Sequence, residues 1–269
     1  MSFLHVDHVT HTYFSLKEKT TAVKDIHFQI EKGDFISFLG PSGCGKTTLL
    51  SILAGLITPA QGRVLIEGSV PNHKEHQIGY MLQQDYLFPW KSIEENVLLG
   101  LHISKTLTEE KRAEVLSLLP KLGLIGVEKK YPKELSGGMR QRAALARTLA
   151  PDPGLLLLDE PFSALDFQTK LSLENLVFRT LKDFQKTAVL VTHDIGEAIA
   201  MSDTIYLFSN QPGTIHQIFT VPKELAALDP FDARQDPAFQ PLFQTIWKEL
   251  NSLEKHVWEQ KNLLSIVLL

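Results

Sequence analysis

The chain has 269 residues, of which 43% are hydrophobic and 22% charged, the proportions of an ordinary globular protein. Its 27 basic and 31 acidic residues leave a net charge of −4, which argues against a nucleic-acid-binding protein. The single cysteine excludes a disulfide framework and indicates a reducing compartment. No apolar run reaches the length of a membrane span, and the first residues lack the layout of a signal peptide. We therefore expect a cytoplasmic protein, attached to a membrane at most through a partner.

Apolar and helical segments alternate along the chain. Short β-rich runs fill the first seventy positions, and four runs are apolar almost throughout: FISFLG, LLLLDE, AVLVTH and TIYLF. Such runs are typical of strands buried on both faces of a parallel sheet. Helical patterns separate them, notably GKTTLLSILAGL and TKLSLENLVFRTLKDF. This alternation predicts an α/β core.

Two segments depart from that alternation. Between about 92 and 150 the strand patterns give way to helical ones, which predicts a helical subdomain inserted at about 86–152. After residue 225 a proline-interrupted stretch leads into an amphipathic helix. We therefore expect a main domain over 1–225 and a short, mostly helical appendage over 226–269. The final LLSIVLL is too short to span a bilayer and is interpreted as a loosely ordered or partner-packed tail.

The segment GPSGCGKTT, residues 40–48, fits the pattern G-x-x-x-x-G-K-[ST] and lies between an apolar strand and a helix-periodic run. Its glycines allow backbone N–H groups to wrap phosphates at a helix N-terminus. In such a loop Lys46 reaches the β- and γ-phosphates and Thr47 ligates Mg²⁺. A glycine-rich turn before a core helix is the alternative, but the strand–loop–helix setting favours nucleotide binding. The candidate nucleotide-binding residues are Gly40, Pro41, Ser42, Gly43, Cys44, Gly45, Lys46, Thr47 and Thr48.

Cys44 lies inside this loop, near a helix N-terminus that is expected to lower the pKa of its thiol. Two interpretations stay open for this residue. It is either a small side chain that fills space in the loop or a regulatory thiol. In both cases alkylation of the thiol is predicted to block nucleotide binding by steric exclusion.

Acidic residues end one of the apolar runs. In LLLLDEP, Asp159 and Glu160 follow a predicted buried strand, at the edge of the sheet where ligand sites of α/β proteins lie. We expect Asp159 to hold Mg²⁺, usually through water, and Glu160 to orient or deprotonate the attacking water. A helix cap is the alternative for such a pair. A second acidic turn, SALD, ends at Asp166, which joins the candidate nucleotide-site residues.

Histidines occur at two places that deserve comparison. The run AVLVTHD ends with His193, and its place at a strand end near the same edge favours a hydrogen bond to the γ-phosphate over a structural role. His5, His8 and His11 recur every three residues within a strand-like stretch. That spacing suits a helix, which argues against a metal site at these three residues.

The segment LSGGMRQR, residues 135–142, places adjacent glycines before a run of strong helix formers. Each glycine inside a helix costs about 1 kcal/mol relative to alanine. In exchange, a glycine-opened helix N-terminus lets backbone N–H groups approach an anion closely. The alternative is that Ser136 merely caps a helix and that Gly137 and Gly138 form a turn.

Taken in order, these motifs resemble the ATP-binding subunit of ABC transporters over roughly residues 1–220. The resemblance implies an α/β fold with a RecA-like P-loop NTPase core, an N-terminal antiparallel β subdomain and an inserted helical subdomain. It implies that Tyr13 stacks on adenine, and that Gln83 senses Mg²⁺ and the attacking water while linking the core to the helical insert. Glu160 is then the catalytic carboxylate and His193 the switch histidine.

The segments DYLFPWKSIEENV, DEPFSALDFQTK and DPAFQPLFQTIWKEL resemble the nitrate/sulfonate/taurine importer branch of this family. That branch also serves pyrimidines and thiamine precursors, so the solute stays open. Two features depart from the pattern: "ML" precedes Gln83, and the ending HVWEQKNLLSIVLL matches no known element. The roughly 45 residues after the core are too few for the regulatory domain of sugar-importer ATPases.

The resemblance also implies partners. Two copies are expected to close around two ATP molecules, with Ser136, Gly137 and Gly138 contacting the γ-phosphate held by the opposing chain. The dimer is expected on the cytoplasmic face of the membrane, bound to a permease and served indirectly by an extracytoplasmic solute-binding protein. Phe88 and Trp90 either line the permease groove or pack within the subdomain. The competing hypothesis is a soluble ABC-type ATPase acting in translation or DNA repair.

Overall fold

The computed structural model describes residues 2–15, 19–71 and 78–267, with the backbone alone from residue 254 onward. The strands are β1 Leu4–Phe14, β2 Lys19–Ile30, β3 Phe35–Leu39, β4 Gln61–Ile66, β5 Ile78–Met81, β6 Leu155–Asp159, β7 Thr187–Thr192, β8 Thr204–Phe208 and β9 Ile215–Thr220. The helices are α1 Lys46–Leu53, α2 Ile93–Val97, α3 Leu99–Ile103, α4 Glu109–Leu116, α5 Leu118–Lys121, α6 Gly137–Leu149, α7 Phe167–Asp183, α8 Ile195–Met201, α9 Lys223–Ala226, α10 Pro230–Ala233 and α11 Phe239–Val267. The chain divides into a first unit, residues 1–72 and 189–269, and a second unit, residues 73–188.

The first unit contains a three-stranded antiparallel sheet in the order β2-β1-β4. Its register places Leu4 of β1 opposite Ile30 on one side and Ile66 on the other, and all three side chains are buried. The alternation of apolar residues along β1 is interrupted at His8, whose φ of 48° marks a bulge. The extra residue restores the inward direction at Val9, so Val6 and Val9 both reach the core.

Strands β7, β3, β8 and β9 are neighbours in that order. Strand β3 pairs with β8 in parallel, while β9 returns antiparallel to β8 and is the strand that the sequence pattern did not reveal. Every residue of β3 and β7 is buried, as their continuous apolar runs predict. The ring of Phe38 packs edge-on against Phe28 of β2 and Phe208 of β8, with centroids 5.6 and 5.2 Å apart. These aromatic contacts join the antiparallel strands to the parallel ones within the first unit.

The C-terminal helices belong to the first unit and cover α8. Phe239 and Ile246 of α11 are buried in one cluster with Ile199 of α8 and Phe219 of β9. Leu250 and Leu253 extend this apolar stripe along α11. The predicted amphipathic helix is therefore confirmed, and its backbone continues to Val267, through most of the segment expected to form a loose tail.

The second unit combines two parallel strands with helices. Strand β5 pairs with β6, placing Ile78 opposite Leu155 and Met81 opposite Leu158. The five helices from α2 to α6 lie within residues 93–149, where the sequence shows helical patterns. In α6 the buried residues include Ala143, Leu145 and Ala146. Gly79 of β5 touches Thr148 near the end of this helix, where a Cβ would lie 2.8 Å from the Thr148 methyl group. This close approach anchors α6 to β5.

A buried carboxylate ties the short helices of the second unit together. The side chain of Glu94 in α2 is only 9% exposed and bonds to the guanidinium of Arg112 in α4. Lys129 donates a second bond of 2.7 Å to the same carboxylate. The hydrogen bond from Lys129, with that from Arg112, lowers the pKa of Glu94 against the opposing effect of its burial.

We predict that Glu94→Gln lowers the free energy of unfolding at pH 7 by about 1–3 kcal/mol, because two cations lose their charged partner. Since the folded-state pKa is lowered, this stabilisation is complete above the unfolded-state pKa of about 4.3 and disappears as the pH falls through the folded value. Urea denaturation of both proteins at several pH values measures the difference. Glu109→Gln removes an exposed carboxylate 3.8 Å from the same Arg112 and is the control. Equal losses in the two variants would contradict the prediction.

Candidate functional site

The glycine loop of residues 40–45 joins β3 to α1 in the first unit. Gly43 and Gly45 have φ values of 79° and 99°, a region that favours glycine. At Gly45 space is limiting as well, because a Cβ would lie 2.5 Å from the carbonyl oxygen of Ala22. At Gly43 a Cβ would make only an ordinary contact, 3.9 Å from Nε2 of Gln211, so the backbone conformation is what requires glycine. The loop thus has the tight backbone that a phosphate cradle needs.

Lys46 is directed back into this loop. Its Nζ donates to the carbonyl oxygens of Gly40 and Pro41, at 2.7 and 2.9 Å, and lies 3.6 Å from the Cys44 sulfur. Only 5% of the residue is exposed, although lysine is among the residues least often buried. The loop carbonyls therefore hold the ammonium group where an anion bound by the loop N–H groups would meet it. This cradle fits a nucleotide phosphate.

The prediction of a lowered thiol pKa for Cys44 is wrong. The expected effect of the helix N-terminus was a lowered thiol pKa, but burial raises the pKa of Cys44, and the nearby Lys46 ammonium offsets this only in part. The residue is fully buried. A buried thiol with a raised pKa is a poor nucleophile, so the structure favours the space-filling interpretation of Cys44.

Tyr13 lies near the start of α1. Its hydroxyl donates to Oγ1 of Thr48 over 3.4 Å, and its ring packs edge-on against His11 with centroids 4.8 Å apart. The side chain is 44% exposed. An exposed aromatic face beside the helix that follows the glycine loop is suited to stacking on a planar ring.

His193 follows β7 in a turn that other side chains hold. Oγ1 of Thr192 bonds to the buried carboxylate of Glu197 and accepts the backbone N–H of Asp194. Asp194 in turn caps α8 by accepting the N–H groups of Gly196 and Glu197. His193 itself is exposed. Thr192 and Glu197 thus position the turn, and sequence reasoning did not identify them because a threonine and a glutamate next to a motif carry no distinctive pattern.

In the second unit, β6 ends with Asp159 and Glu160. Asp159 is buried, and Glu160 is partly exposed with a φ of 48°. A non-glycine residue at positive φ carries backbone strain, which proteins tend to keep at functional sites. The strained turn ends the strand and directs the chain into SALD, where Asp166 caps α7 by accepting the N–H of Thr169 at 3.1 Å. This cap lowers the pKa of Asp166.

Gln83 is linked to the turn of Glu160 by one serine. Its Nε2 donates to Oγ of Ser163 at 3.0 Å, and the Ser163 hydroxyl donates to the carbonyl oxygen of Glu160, also at 3.0 Å. The side chain of Gln83 is thus coupled to the strained turn through Ser163. Ser163 was not singled out in the sequence, although SALD contains it.

The segment LSGGMRQR begins α6 as predicted. Ser136 is the N-cap, and its Oγ accepts the backbone N–H of Met139 at 3.3 Å. Gly138 packs against α7, where a Cβ would lie 2.5 Å from the methyl group of Thr169. Around Gly137 the nearest such neighbour is Arg140, 3.9 Å away. Packing within the second unit therefore explains Gly138 but leaves Gly137 exposed without a steric reason.

Side chains of α6 hold the segment that follows Gln83. Gln141 donates to the carbonyl oxygen of Gln83 at 3.0 Å, and Arg140 pairs with the Asp85 carboxylate at 2.9 Å. Arg147 donates to the carbonyl oxygens of Asp85 and Tyr86. Burial lowers the pKa of Arg147, with the Asp85 charge opposing this effect. A surface pocket of about 340 Å³ lies between this segment, Gly137 and Leu165. Sequence reasoning missed these anchors because arginines are common on helix surfaces.

A buried asparagine shapes the turn LFPW. The amide of Asn96 accepts the N–H of Phe88 and donates to the carbonyl oxygens of Phe88, Lys91 and Ser92. The rings of Phe88 and Trp90 pack with centroids 5.2 Å apart, and Trp90 is 70% exposed. Asn96 thus presents an indole at the surface of the second unit.

The chain contains two candidate sets of metal ligands, the three N-terminal histidines and the three residues expected to bind Mg²⁺. Within residues 2–15, 19–71 and 78–267, no group of three or more His, Cys, Asp and Glu side chains is arranged to hold a metal ion. His8 instead bonds to Asp25 at 2.6 Å and stacks on His27. The donors expected for Mg²⁺ are of another kind, the Thr47 hydroxyl, the Gln83 amide and the Asp159 carboxylate. All three offer the hard oxygen atoms that Mg²⁺ prefers.

The predicted site residues are thus distributed over both units. The first unit carries Tyr13, the 40–48 loop and His193, and contacts with Thr48 bring Tyr13 to the helix of that loop. The second unit carries Gln83, Ser136–Gly138, Asp159, Glu160 and Asp166, and Ser163 joins Gln83 to Glu160. No helix in the described parts of the chain is both long and apolar enough to cross a membrane.

Comparison with known proteins agrees with these features. The pattern of the family described as "ABC transporter" matches residues 23–163. The ABC transporter ATP-binding protein YtlC of Bacillus subtilis is 85% identical over 262 residues, covering 97% of this chain and 100% of that protein. The aliphatic sulfonates import ATP-binding protein SsuB of Bacillus cereus is 44% identical over 207 residues, or 77% of this chain and 81% of that protein. SsuB of Bacillus licheniformis is 38% identical over 243 residues, or 90% and 92%.

Solved structures give the same result. A dimeric post-hydrolysis state of the ATP-binding cassette MJ0796, bound to ADP and Pi, matches with a TM-score of 0.72 and 32% identity, over 81% of this chain and 99% of that chain. A second dimeric structure of MJ0796, a bacterial ABC transporter cassette, matches with a TM-score of 0.71 and 32% identity over the same shares of both chains. The predicted P-loop NTPase fold is confirmed, and the chain belongs to the ABC transporter family, in which it is an ATP-binding transporter subunit and an ATPase.

Proposed function

We propose that this ATPase drives the import of a small organic anion of the aliphatic sulfonate kind through a separate membrane permease. The nucleotide-binding part of this proposal rests on the position of Lys46, whose ammonium group is held by two loop carbonyls inside a cradle of glycines. The import part rests on the relatives, because the SsuB proteins are named for import of aliphatic sulfonates. An ATPase subunit does not contact the solute, so that part draws no support from the site itself.

The first unit supplies the groups that bind ATP. We infer that the N–H groups of residues 43–47 hold the phosphates at the start of α1, and that Lys46 bonds to the β- and γ-phosphates. The exposed ring of Tyr13 stacks on adenine. His193 bonds to the γ-phosphate, and the Thr192–Glu197 contact keeps its turn in place.

The second unit supplies the hydrolytic groups. Glu160 takes a proton from the attacking water, and its strained turn fixes the carboxylate before ATP arrives. Gln83 orients the same water. Because its carbonyl oxygen accepts a hydrogen bond from Gln141, a shift of Gln83 also moves α6. Thr47, Gln83 and Asp159 are the residues that would hold Mg²⁺, and the ion would supply positive charge against the charge that develops on the phosphates. Asp166, the last residue of SALD, adds a carboxylate to the nucleotide site and also caps α7.

A second copy of the chain is proposed to complete each site. Gly137 is exposed and has no packing reason to be glycine, which suits a position where another molecule's phosphate approaches the helix N-terminus. Ser136 and Gly138 shape that N-terminus. Both MJ0796 structures are dimeric, which agrees with such an arrangement.

The membrane partner is proposed to bind at the turn of Phe88 and Trp90. The 70% exposed indole of Trp90 is an unusual surface residue, and such residues are enriched at protein interfaces. In this proposal the chain lies on the cytoplasmic face of the membrane, and an extracytoplasmic binding protein delivers the solute to the permease. Residues 1–225 form the ATPase domain, 86–152 its helical insert and 226–269 a short appendage.

Membrane attachment through the permease separates transport from the competing role in translation or DNA repair. We predict that the chain sediments with membranes only when its permease is co-expressed, because its contact with the membrane is made by that partner. Trp90→Ala should weaken this attachment, whereas Trp247→Ala, which alters an exposed tryptophan of α11, should not. ATPase activity that stays in the soluble fraction and rises with ribosomes or DNA would contradict import.

Replacing the carboxylate of Glu160 tests the hydrolytic assignment. We predict that Glu160→Gln binds ATP normally but slows hydrolysis roughly 100-fold or more, because the general base is lost. Gel filtration should then show a dimer that forms only with ATP. Steady-state phosphate release measures the rate, and normal turnover would refute the role given to Glu160.

Lys46→Ala gives the complementary result. It should weaken ATP binding and abolish both hydrolysis and the ATP-dependent dimer, since the phosphates lose their ammonium partner. Lys133→Ala, at an exposed lysine of the second unit, is the matched control and should leave all three properties unchanged.

Thiol labelling tests where ATP binds. Because Cys44 is buried and its pKa is raised, we predict slow alkylation of the native protein at pH 7 and further slowing by saturating ATP. Mass spectrometry of the single thiol gives both rates, and labelling in urea shows that the reagent is active. Equal native rates with and without ATP would count against nucleotide binding at residues 40–48.

A further inference from the structure

The loop between β8 and β9, residues 209–214, is inserted against β2. The N–H of Gly213 donates to the carbonyl oxygen of Ala22, and its own carbonyl oxygen accepts the N–H of Lys24, both at 2.9 Å. Ser209 closes the base of the loop, since its N–H and Oγ bond to Thr214. The loop is therefore held in place at Gly213 by strand-like hydrogen bonds and does not hang free.

Gly213 is buried against the glycine loop. A Cβ on this residue would lie inside the van der Waals distance of the Cys44 carbonyl oxygen, and 3.2 Å from that of Ala22. The φ of Gly213 is outside the left-handed region, so its backbone conformation is open to other residues. Lack of space, first next to Cys44 and then next to Ala22, is thus the reason for glycine at this position.

A second contact lies one residue earlier on the glycine loop. Nε2 of Gln211 donates to the carbonyl oxygen of Gly43 over 3.4 Å, a long hydrogen bond. Two successive carbonyl groups, those of Gly43 and Cys44, therefore face the β8–β9 loop. In a planar trans peptide the C=O and the following N–H point in opposite directions. The N–H groups of Cys44 and Gly45 consequently point away from the β8–β9 loop, and the Cys44 N–H is directed at Pro41 across the cradle.

We propose that the β8–β9 loop is a positioning element for the phosphate cradle, with Gly213 and Gln211 as its positioning residues. By covering the carbonyl groups of Gly43 and Cys44, they fix two peptide planes of the loop. One carries the Cys44 N–H, which closes the loop by donating to the Pro41 carbonyl oxygen, and the other carries the Gly45 N–H, which is left to face a bound phosphate. Neither residue touches the nucleotide. This inference rests on the proposed role of residues 40–48 in ATP binding.

The experiment compares Gly213→Ala and Gln211→Ala with the wild-type chain. For Gly213→Ala the ATP dissociation constant should rise about tenfold or more, and for Gln211→Ala about two- to fivefold, since the cradle loses its fixed orientation. Once ATP is saturating, kcat should stay within about twofold of wild type, because the groups that cleave ATP are unchanged. Gln217→Ala, an exposed glutamine of β9, is the matched control and should behave as wild type.

Alkylation of Cys44 without nucleotide is the second readout. Both loop variants should label faster than wild type, because the covered carbonyl of Cys44 becomes mobile with its thiol, while Gln217→Ala should not. If Gly213→Ala fails to fold, two variants at 211 decide. Gln211→Glu, which places a carboxylate against the Gly43 carbonyl, should be worse than Gln211→Ala, and Gln211→Arg, which keeps a donor, should restore affinity.

Two results would overturn the inference. One is wild-type ATP affinity and wild-type Cys44 labelling in Gly213→Ala. The other is a loss of kcat with no change in ATP affinity, which would assign the loop to the chemical step. Failure of the proposed function looks different, because ATP would then bind equally well to wild type and Lys46→Ala. In that case the Cys44 labelling rates alone decide whether the β8–β9 loop holds the cradle.

Discussion

A backbone cradle for phosphate depends on the direction of its peptide planes. Each N–H that turns inward forces a carbonyl outward, and each outward carbonyl needs a partner. In this protein Lys46 donates to the carbonyl oxygens of Gly40 and Pro41, and Gln211 donates to that of Gly43. Gly213 packs closely against the carbonyl oxygen of Cys44 without donating to it. The Lys46 ammonium group and the β8–β9 loop thus both contact the same six-residue loop, residues 40–45.

In the second unit, side-chain contacts hold a strained turn at Glu160 and the segment that follows Gln83. Glu160 occupies a backbone region that most residues avoid, and Ser163 holds the carbonyl of that turn while accepting Gln83. Helix α6 then holds the segment after Gln83 through Arg140 and Arg147. A displacement of the helix beginning with LSGG therefore shifts Gln83, and through Ser163 the turn of Glu160. This chain of contacts connects the start of α6, which we propose approaches a phosphate, with the turn of Glu160, which we propose activates water.

Buried polar groups make these segments rigid where apolar packing is thin. Asn96 uses its whole amide to shape the turn that exposes Trp90, and Glu94 joins α2 to Arg112 and Lys129. Thr192 and Glu197 do the same beside His193. Each group would be costly to bury alone and is stabilising because its partners are present. Short helices of four or five residues, such as α2 and α5, need this help because isolated helices of that length do not form in water.

The sequence by itself determined the family, the α/β class, the buried strands and the place of the glycine loop before α1, because those features depend on local pattern: an apolar run, a glycine spacing, an N-cap serine. It did not reveal β9, and it suggested the wrong direction for the pKa of Cys44. Nor did it distinguish Gly213, Ser163, Asn96 and Arg147 from ordinary surface residues. Their roles come from partners distant in the chain, as Gly213 lies against Cys44 169 positions earlier. Only the tertiary structure decides such contacts, because burial and proximity between remote segments leave no periodic trace in either segment alone.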